Sequence, residues 1–101
     1  MLTSVDADVM RVLGDPLRLK IVTLLAQETL CTTHLVEETG AKQTNLSNHM
    51  KVLREAGLVE TEPCGRFTYY KLRPEMLASV SAHFAELAAS ARAAADNKRA
   101  C

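Results

Sequence analysis

The sequence has few of the features that identify an enzyme, a membrane protein or a secreted protein. It contains no glycine-rich phosphate loop, no nucleophile elbow and no clustered pair of carboxylates. No apolar run approaches the roughly 18 residues that cross a bilayer, and the start of the chain lacks the charged and apolar regions of a signal peptide. These absences predict a cytoplasmic protein that is neither an enzyme nor embedded in a membrane.

Cysteine is scarce and irregularly spaced. The chain has three cysteines, Cys31, Cys64 and Cys101. An odd, widely separated set differs from the disulfide framework of a small secreted domain. We therefore expect free thiols in a reducing compartment.

The length of the chain allows only one core. Its 101 residues, 48% of them apolar, predict a single globular domain spanning residues 1–101. A chain of about 100 residues buries only around two-thirds of its unfolded surface. Because an apolar helix face left uncovered would gain from a second copy of the chain, we expect a homodimer.

Net charge is also absent, since twelve basic residues balance twelve acidic ones. The distribution is uneven, however: residues 42–73 hold six basic and three acidic side chains, whereas residues 1–41 hold three basic and six acidic. Phosphate groups respond to the local field rather than to the total charge. Residues 42–73 could therefore bind DNA, with an affinity that falls as salt is added.

Two helices are predicted before this basic segment. The stretch SVDADVMRVLGD predicts a short helix with Ser4 as its N-cap and Gly14 after its end. Its apolar stripe consists of Val5, Val9, Val12 and Leu13. Asp15 and Pro16 then form the N-cap and first-turn pair that favours a new helix, LRLKIVTLLAQ, which is mostly core.

Residues 32–56 fit a helix-turn-helix. A brief extended piece at TLC precedes a helix ending at Gly40, and a second helix begins only three residues later. Leu46, Met50 and Leu53 are spaced to seat this second helix on the core. The opposite side is polar, with short side chains that can bond base edges or phosphates. The candidate DNA-binding residues here are Lys42, Gln43, Thr44, Asn45, Ser47, Asn48, His49 and Lys51.

A β-hairpin, or wing, is predicted over residues 58–72. Pro63 and Gly65 mark the turn between two segments rich in β-branched and aromatic residues, which places Arg66 near the tip as a further DNA contact. Three aromatic residues lie on the second strand. We expect Phe67, Tyr69 and Tyr70 to pack the base of the hairpin rather than to stack on bases.

The last segment predicts a helix over residues 74–95 that opens with Pro74. Its apolar positions alternate at spacings of three and four residues, which is typical of a helix seam. They are Leu77, Val80, Phe84, Leu87, Ala91 and Ala94. Together with the first helix, this helix is expected to form the interface of the homodimer.

The predicted fold is thus mainly α with a small β-hairpin: a winged helix-turn-helix.

Two stretches carry a resemblance to a known family. LGDPLRLKIVTLLAQ and SNHMKVLREAGLVETEPCGRFTYYKL resemble the ArsR-type metal-sensing repressors, whose pattern includes LxDPxRLxIL, an AGLV helix end and a GRxxxYxL wing. The similarity covers roughly residues 12–73. It implies a homodimeric repressor that leaves double-stranded operator DNA when a soft metal or metalloid ion binds. Some members of the family respond instead to persulfides or other thiol oxidants.

The family's effector sites are only partly present. Arsenic-sensing members read ELCVCDL where this chain reads TLCTTHL, so that Cys31 matches the first cysteine and Thr33 replaces the second. The zinc-type site of the last helix is missing, and so are the cysteines that cadmium and lead sensors place in the recognition helix. Many members also have Ser at the position of Lys42, where a side-chain oxygen would cap that helix.

The remaining thiols define the effector hypothesis. Trivalent arsenic or antimony favours three sulfur ligands, which Cys31, Cys64 and Cys101 could supply. Cadmium, lead or zinc remains an alternative inducer, and Cys31 with His34 could suit zinc. A thiol-based redox or persulfide sensor on the same scaffold is a further alternative.

Overall fold

The computed structural model describes residues 3–101 and contains five helices and three strands within that range. The helices are α1 (Ser4–Leu13), α2 (Pro16–Leu25), α3 (Thr32–Thr39), α4 (Gln43–Glu55) and α5 (Pro74–Ala93). The strands are β1 (Leu30–Cys31), β2 (Val59–Cys64) and β3 (Phe67–Leu72). Residues 1 and 2 of the predicted domain lie outside the described residues.

The first two helices begin with side-chain caps. Thr3, rather than the predicted Ser4, is the N-cap of α1, because its hydroxyl oxygen accepts a hydrogen bond from the Asp6 N–H at 3.0 Å. Asp15 caps α2 as predicted, accepting from the N–H groups of Leu17 and Arg18. The first turns of α1 and α2 are thereby fixed by local hydrogen bonds.

The helix-turn-helix is formed by α3 and α4. Gly40 ends α3 with a φ of 73°, a left-handed conformation that a residue with a Cβ adopts only at a cost. The chain can therefore reverse within three residues and start α4 at Gln43. Leu46, Met50 and Leu53 of α4 are buried in the common core, as their spacing predicts.

The hairpin is part of a three-stranded antiparallel sheet with the order β1-β3-β2. The two-residue strand β1 pairs with the middle of β3, Leu30 opposite Tyr70 and Cys31 opposite Tyr69. This pairing fastens the start of α3 directly to the wing.

A single core contains residues from the first four helices, from the sheet and from the first half of α5. Its fully buried members include Val9, Ile21, Leu35 and Leu58. Val5 was predicted to belong to the apolar stripe of α1, but it does not pack on the core, because its side chain is 51% exposed. Among residues 3–101, no helix combines the length and the apolar character of a bilayer span.

The fifth helix extends beyond the body of the domain. Val80 is its one buried residue within the described chain, whereas Phe84 and Leu87, farther along the predicted seam, are about half exposed. At 1.5 Å per residue this helix is roughly 30 Å long. It accounts for much of the elongated outline of 62 × 23 × 23 Å.

Candidate nucleic-acid interface and thiol positions

Helix α4 presents its polar side to solvent. The exposed candidates are Lys42, Gln43, Thr44, Asn45, Ser47, Asn48 and Lys51, and His49 is half-buried. Short amide and hydroxyl side chains on an exposed helix can reach base edges in a major groove. The helix therefore exposes side chains that are able to form hydrogen bonds with DNA.

The N-terminus of α4 starts without a side-chain cap in the described structure. Lys42 occupies the N-cap position, and no side-chain oxygen there accepts from the first turn. Backbone N–H groups at a helix N-terminus attract anions, and the Lys42 ammonium adds a positive charge nearby. This end of α4 suits a phosphate oxygen.

The wing ends in a two-residue turn made by Gly65 and Arg66. Gly65 has a φ of 62°, so the tight reversal uses the conformational freedom of glycine. Arg66 is exposed at the tip of the hairpin, as the sequence analysis predicts. A basic side chain at the end of a hairpin can bind a phosphate or enter a minor groove.

A cleft of about 320 Å³ separates the helix-turn-helix from the wing. It is lined by Cys31, Thr32 and Thr33 at the start of α3, by Gln43 at the start of α4, and by Arg66, Phe67, Thr68 and Tyr70 of the wing. Cys31 thus shares a cleft with two of the residues predicted to contact DNA, Gln43 and Arg66.

The aromatic residues of the wing divide into two groups. Tyr70 packs against the core, as expected for a residue at the base of a hairpin. Phe67 does not: it is 56% exposed and borders the cleft, so the expectation that it packs is wrong. Its place beside the two-residue turn leaves it beyond the reach of the core.

Cys31 is almost completely buried, with 4% of its surface exposed. Its backbone N–H donates to Nδ1 of His34 at 3.2 Å, and the His34 ring meets Tyr69 edge to face at a centroid distance of 6.0 Å. The hydrogen bond occupies one of the two ring nitrogens through which His34 could bind zinc.

The other two thiols are exposed. Cys64 ends β2 opposite Phe67, and Cys101 lies beyond α5. Since β1 and β2 flank β3, with Cys31 level with Tyr69 and Cys64 level with Phe67, the two Cα atoms are on the order of 12 Å apart. A disulfide needs a separation of about 4.4–6.8 Å. In this conformation Cys31 and Cys64 are too far apart for one.

The structure therefore does not assemble the thiols in one chain. Within residues 3–101, no three side chains of histidine, cysteine, aspartate or glutamate are grouped as a metal site. Cys31 lies in the cleft, Cys64 near the tip of the wing, and Cys101 away from both elements in sequence. Any ion held by three of these thiols needs a shift of the wing or a second chain.

Comparison with known proteins identifies the family. Residues 15–61 match the model of the bacterial regulatory protein, arsR family. A crystal structure described as a possible transcriptional regulator for arsenical resistance is 34% identical, with a TM-score of 0.73, and the match covers 91% of this chain and 98% of that one. The chain belongs to the arsR family. Its winged helix-turn-helix fold, predicted from the sequence, is confirmed.

Two relatives of the chain are named as repressors. The arsenical resistance operon repressor of Staphylococcus xylosus is 41% identical over 69 residues, which are 68% of this chain and 66% of that protein. The transcriptional repressor SmtB of Mycobacterium tuberculosis is 34% identical over 73 residues, which are 72% of this chain and 54% of the relative. The match thus spans two-thirds or less of each relative. These relatives confirm the prediction of a regulator rather than an enzyme.

Two features of the site were missed by sequence reasoning. The cleft arises because β1 pairs with β3, and a two-residue strand is too short to predict its partner. The second feature is a contact between Arg18 of α2 and His49 of α4, whose Nη1 and Nδ1 atoms are 3.3 Å apart. Residues 31 positions apart gave no pattern from which to predict it.

Proposed function

We propose that this chain is a homodimeric transcriptional repressor that reads operator DNA with α4 and holds the DNA backbone through Arg66. The exposed polar side of α4 supports base contacts by Asn45, Ser47 and Asn48. The excess of basic residues over positions 42–73 supports phosphate contacts in a chain with no net charge. The repressor names of its arsR-family relatives agree with this role.

The natural inducer in this proposal is trivalent arsenic or antimony, bound by cysteine thiolates with Cys31 as the essential ligand. The observation that carries it is the shared cleft, in which Cys31 lies with Gln43 and Arg66. An ion bound there lies between the start of the recognition helix and the tip of the wing. It can therefore change how these two DNA-binding elements are spaced.

The distance between Cys31 and Cys64 supplies a mechanism for release. Two thiolates on one ion lie within about 5 Å of each other, since a metal–sulfur bond is about 2.3 Å long. Because their Cα atoms are on the order of 12 Å apart, the sulfur atoms of Cys31 and Cys64 cannot come this close unless the hairpin shifts or the sheet distorts. If Cys64 is the second ligand, ion binding must distort the three-stranded sheet, because β1 and β2 both pair with β3, and this distortion displaces Arg66 at the tip of the wing. Cys101 of the same or the partner subunit is the remaining thiol ligand.

The dimer in this proposal is built from α1 and α5. Val5, Phe84 and Leu87 are half exposed, and the second half of α5 lies off the core. A second copy would cover these side chains and would set two α4 helices side by side for two operator half-sites.

Native mass spectrometry of the protein with arsenite, antimonite, cadmium or zinc tests the inducer. We expect arsenite or antimonite to exchange its three hydroxyl groups for three thiolates, so that each bound ion releases three water molecules formed with the three thiol protons. Tighter binding of cadmium or zinc would favour the alternative metal sensor. A covalent disulfide or polysulfide that forms at micromolar oxidant and releases the operator, with no response to arsenite, would favour a redox or persulfide sensor.

A mobility shift with duplexes from the protein's own promoter region tests the DNA-binding half of the proposal. We expect a shift that specific duplex competes away better than random duplex does. Equal competition by both duplexes would contradict an operator-binding role.

A further inference from the structure

Arg18 lies where three helices meet. Its Nε donates to the carbonyl oxygen of Val12 in the last turn of α1 at 2.6 Å, and its Nη1 is 3.3 Å from Nδ1 of His49 in α4. Its own backbone N–H is held by the Asp15 carboxylate at the start of α2. The half-buried Arg18 side chain thus ties the α1–α2 corner to the middle of the proposed recognition helix.

The chemistry of this contact determines the tautomer of the neutral His49 ring. A guanidinium group has only donors, so Nδ1 of His49 must be the acceptor. A ring nitrogen that accepts carries no proton, and the single proton of the neutral ring is therefore on Nε2. The contact with Arg18 leaves Nε2–H as the donor that His49 can offer to another molecule.

Asp15 completes the charged surroundings of His49. The pKa of Asp15 lies below its ordinary value of 3.8, first because the Arg18 N–H donates to its carboxylate, and the nearby Arg18 guanidinium adds to the effect. The negative carboxylate offsets the positive guanidinium beside the ring. Arg18 can therefore approach His49 without placing an unbalanced charge there.

His49 sits one helical turn after Asn45, so the two lie on neighbouring positions of one side of α4. Asn45 is exposed and His49 is half-buried. A donor close to the protein body at the edge of a recognition surface is placed for a phosphate oxygen rather than for a base deep in the groove.

We propose that Arg18 is a positioning residue for DNA binding: it fixes the His49 tautomer so that Nε2–H donates to an operator phosphate. The proposal rests on the operator-binding function above. Arg18 itself stays on Val12 and His49 and does not contact DNA. Because the donor is a neutral ring, this phosphate contact adds affinity for every duplex without contributing to its salt dependence.

The first test measures the tautomer in the free protein, so that it is independent of operator binding. Nitrogen-15 NMR of the histidine side chains should show Nε2 protonated and Nδ1 unprotonated for His49 at neutral pH. The Arg18→Met variant, which keeps most of the apolar stem and loses the donors, should show a mixture of the two tautomers. A proton on Nδ1 of the parent protein, or an unchanged tautomer in the variant, would overturn the proposal.

The second test measures affinity for operator and for random duplex over a range of salt concentrations. Arg18→Met and His49→Ala should each weaken both complexes by roughly three- to tenfold, as expected for one neutral hydrogen bond, with an unchanged salt slope. The double variant should bind no worse than either single one. Lys20→Met, which removes an exposed charge from the same helix, is the matched control.

Additive losses in the double variant would mean that Arg18 does not act through His49. A salt slope reduced by about one in Arg18→Met, but not in Lys20→Met, would place Arg18 itself on a phosphate. If Arg18→Met does not fold, His49→Gln and His49→Asn decide the question. Gln can present a donor near the Nε2 position and should retain binding, whereas Asn reaches only the Nδ1 position and should lose it; the reverse order would refute the proposal.

Discussion

Side chains of α4 and of the wing tip are predicted to contribute to DNA binding in different ways. Asn48 and Ser47 are exposed on the helix, where amide and hydroxyl groups can bond base edges. Arg66 is at the tip of a hairpin, where a cation can bind the backbone of any sequence. The two kinds of contact are separable by substitution.

Asn48→Ala and Ser47→Ala are expected to reduce discrimination between operator and random duplex. A lost base contact costs about 1–3 kcal/mol, and truncation of an exposed side chain leaves the core unchanged. Competition binding measures the ratio of the two affinities, and circular dichroism checks that the fold is retained. A ratio equal to that of the parent in both variants would remove these residues from base recognition.

Arg66→Ala is expected to weaken binding to all duplexes and to lower the salt slope by about one, because one phosphate contact is lost. Lys71→Ala, an exposed basic residue on the same strand pair but away from the tip, serves as the control. Loss confined to the operator would contradict a backbone role for Arg66.

The elements are joined by few polar contacts, and one of these links α1 to α5. The Ser79 hydroxyl donates to the buried Asp6 carboxylate at 2.8 Å. This hydrogen bond, chiefly, holds the pKa of Asp6 below its ordinary value of 3.8, and the Thr3 hydrogen bonds and nearby His83 add to the effect. The contact stabilises the pair of helices proposed to form the dimer.

Ser79→Ala should therefore lower the Tm by a few degrees at neutral pH. An ionised group with a lowered folded-state pKa stabilises the fold above its unfolded value of 3.8, and this stabilisation is lost as the pH falls through the lower folded value. Calorimetry should show the gap between parent and variant closing below about pH 4. Ser81→Ala on the same helix is the control, and an identical gap at all pH values would mean that Asp6 is not involved.

How far the sequence predicted the elements depended on the range of the interactions that form them. Some features depend only on local chemistry, and these were predicted correctly. They are the start of α2 at Asp15 and Pro16, the end of α3 at Gly40 and the turn at Gly65. The exchange of Ser4 for Thr3 as N-cap is a one-residue error between neighbouring hydroxyl side chains. Local patterns are enough for such features.

Features that depend on distant residues were not predicted. The exposure of Phe67 follows from its position beyond the part of β3 that pairs with β1, at Tyr69 and Tyr70, and no local pattern specifies where β1 pairs. Likewise, the sequence supplied Cys31 as a candidate ligand but not the cleft that it shares with Gln43 and Arg66. The assignment of ligands to the effector ion stays a prediction.

At the scale of the whole molecule, the domain has an apolar helix surface that its own core does not cover. Leu87 is 53% exposed on the part of α5 that extends from the body. A seam of this kind is typical of a helix that packs against a second chain. The proposed dimer would bury it.

Leu87→Glu is expected to weaken self-association by about tenfold or more, which is at least ~1.4 kcal/mol, because a carboxylate would be placed in an apolar interface. Sedimentation equilibrium measures the dimer dissociation constant. Leu19→Glu is the matched control, since Leu19 is 51% exposed on α2, outside the proposed interface. Dissociation by Leu19→Glu and not by Leu87→Glu would move the interface to α2.

The proposed function requires that ion binding in the cleft and DNA binding are coupled. If an ion at Cys31 weakens operator binding, the operator must weaken ion binding by the same factor, and couplings of this kind typically amount to about 1–3 kcal/mol. The response must also depend on the thiol in the cleft. Cys64→Ser and Cys101→Ser test which other thiols belong to the site, because replacement of a true ligand lowers the affinity for arsenite.

The most direct measurement is the anisotropy of a fluorescent operator bound to the parent protein and to Cys31→Ser during titration with arsenite under reducing conditions. We predict that the parent releases the operator, whereas Cys31→Ser binds the operator with parental affinity and fails to release it. Release of the operator from Cys31→Ser at the arsenite concentrations that release it from the parent would contradict the assignment of Cys31 as the essential ligand of the inducer.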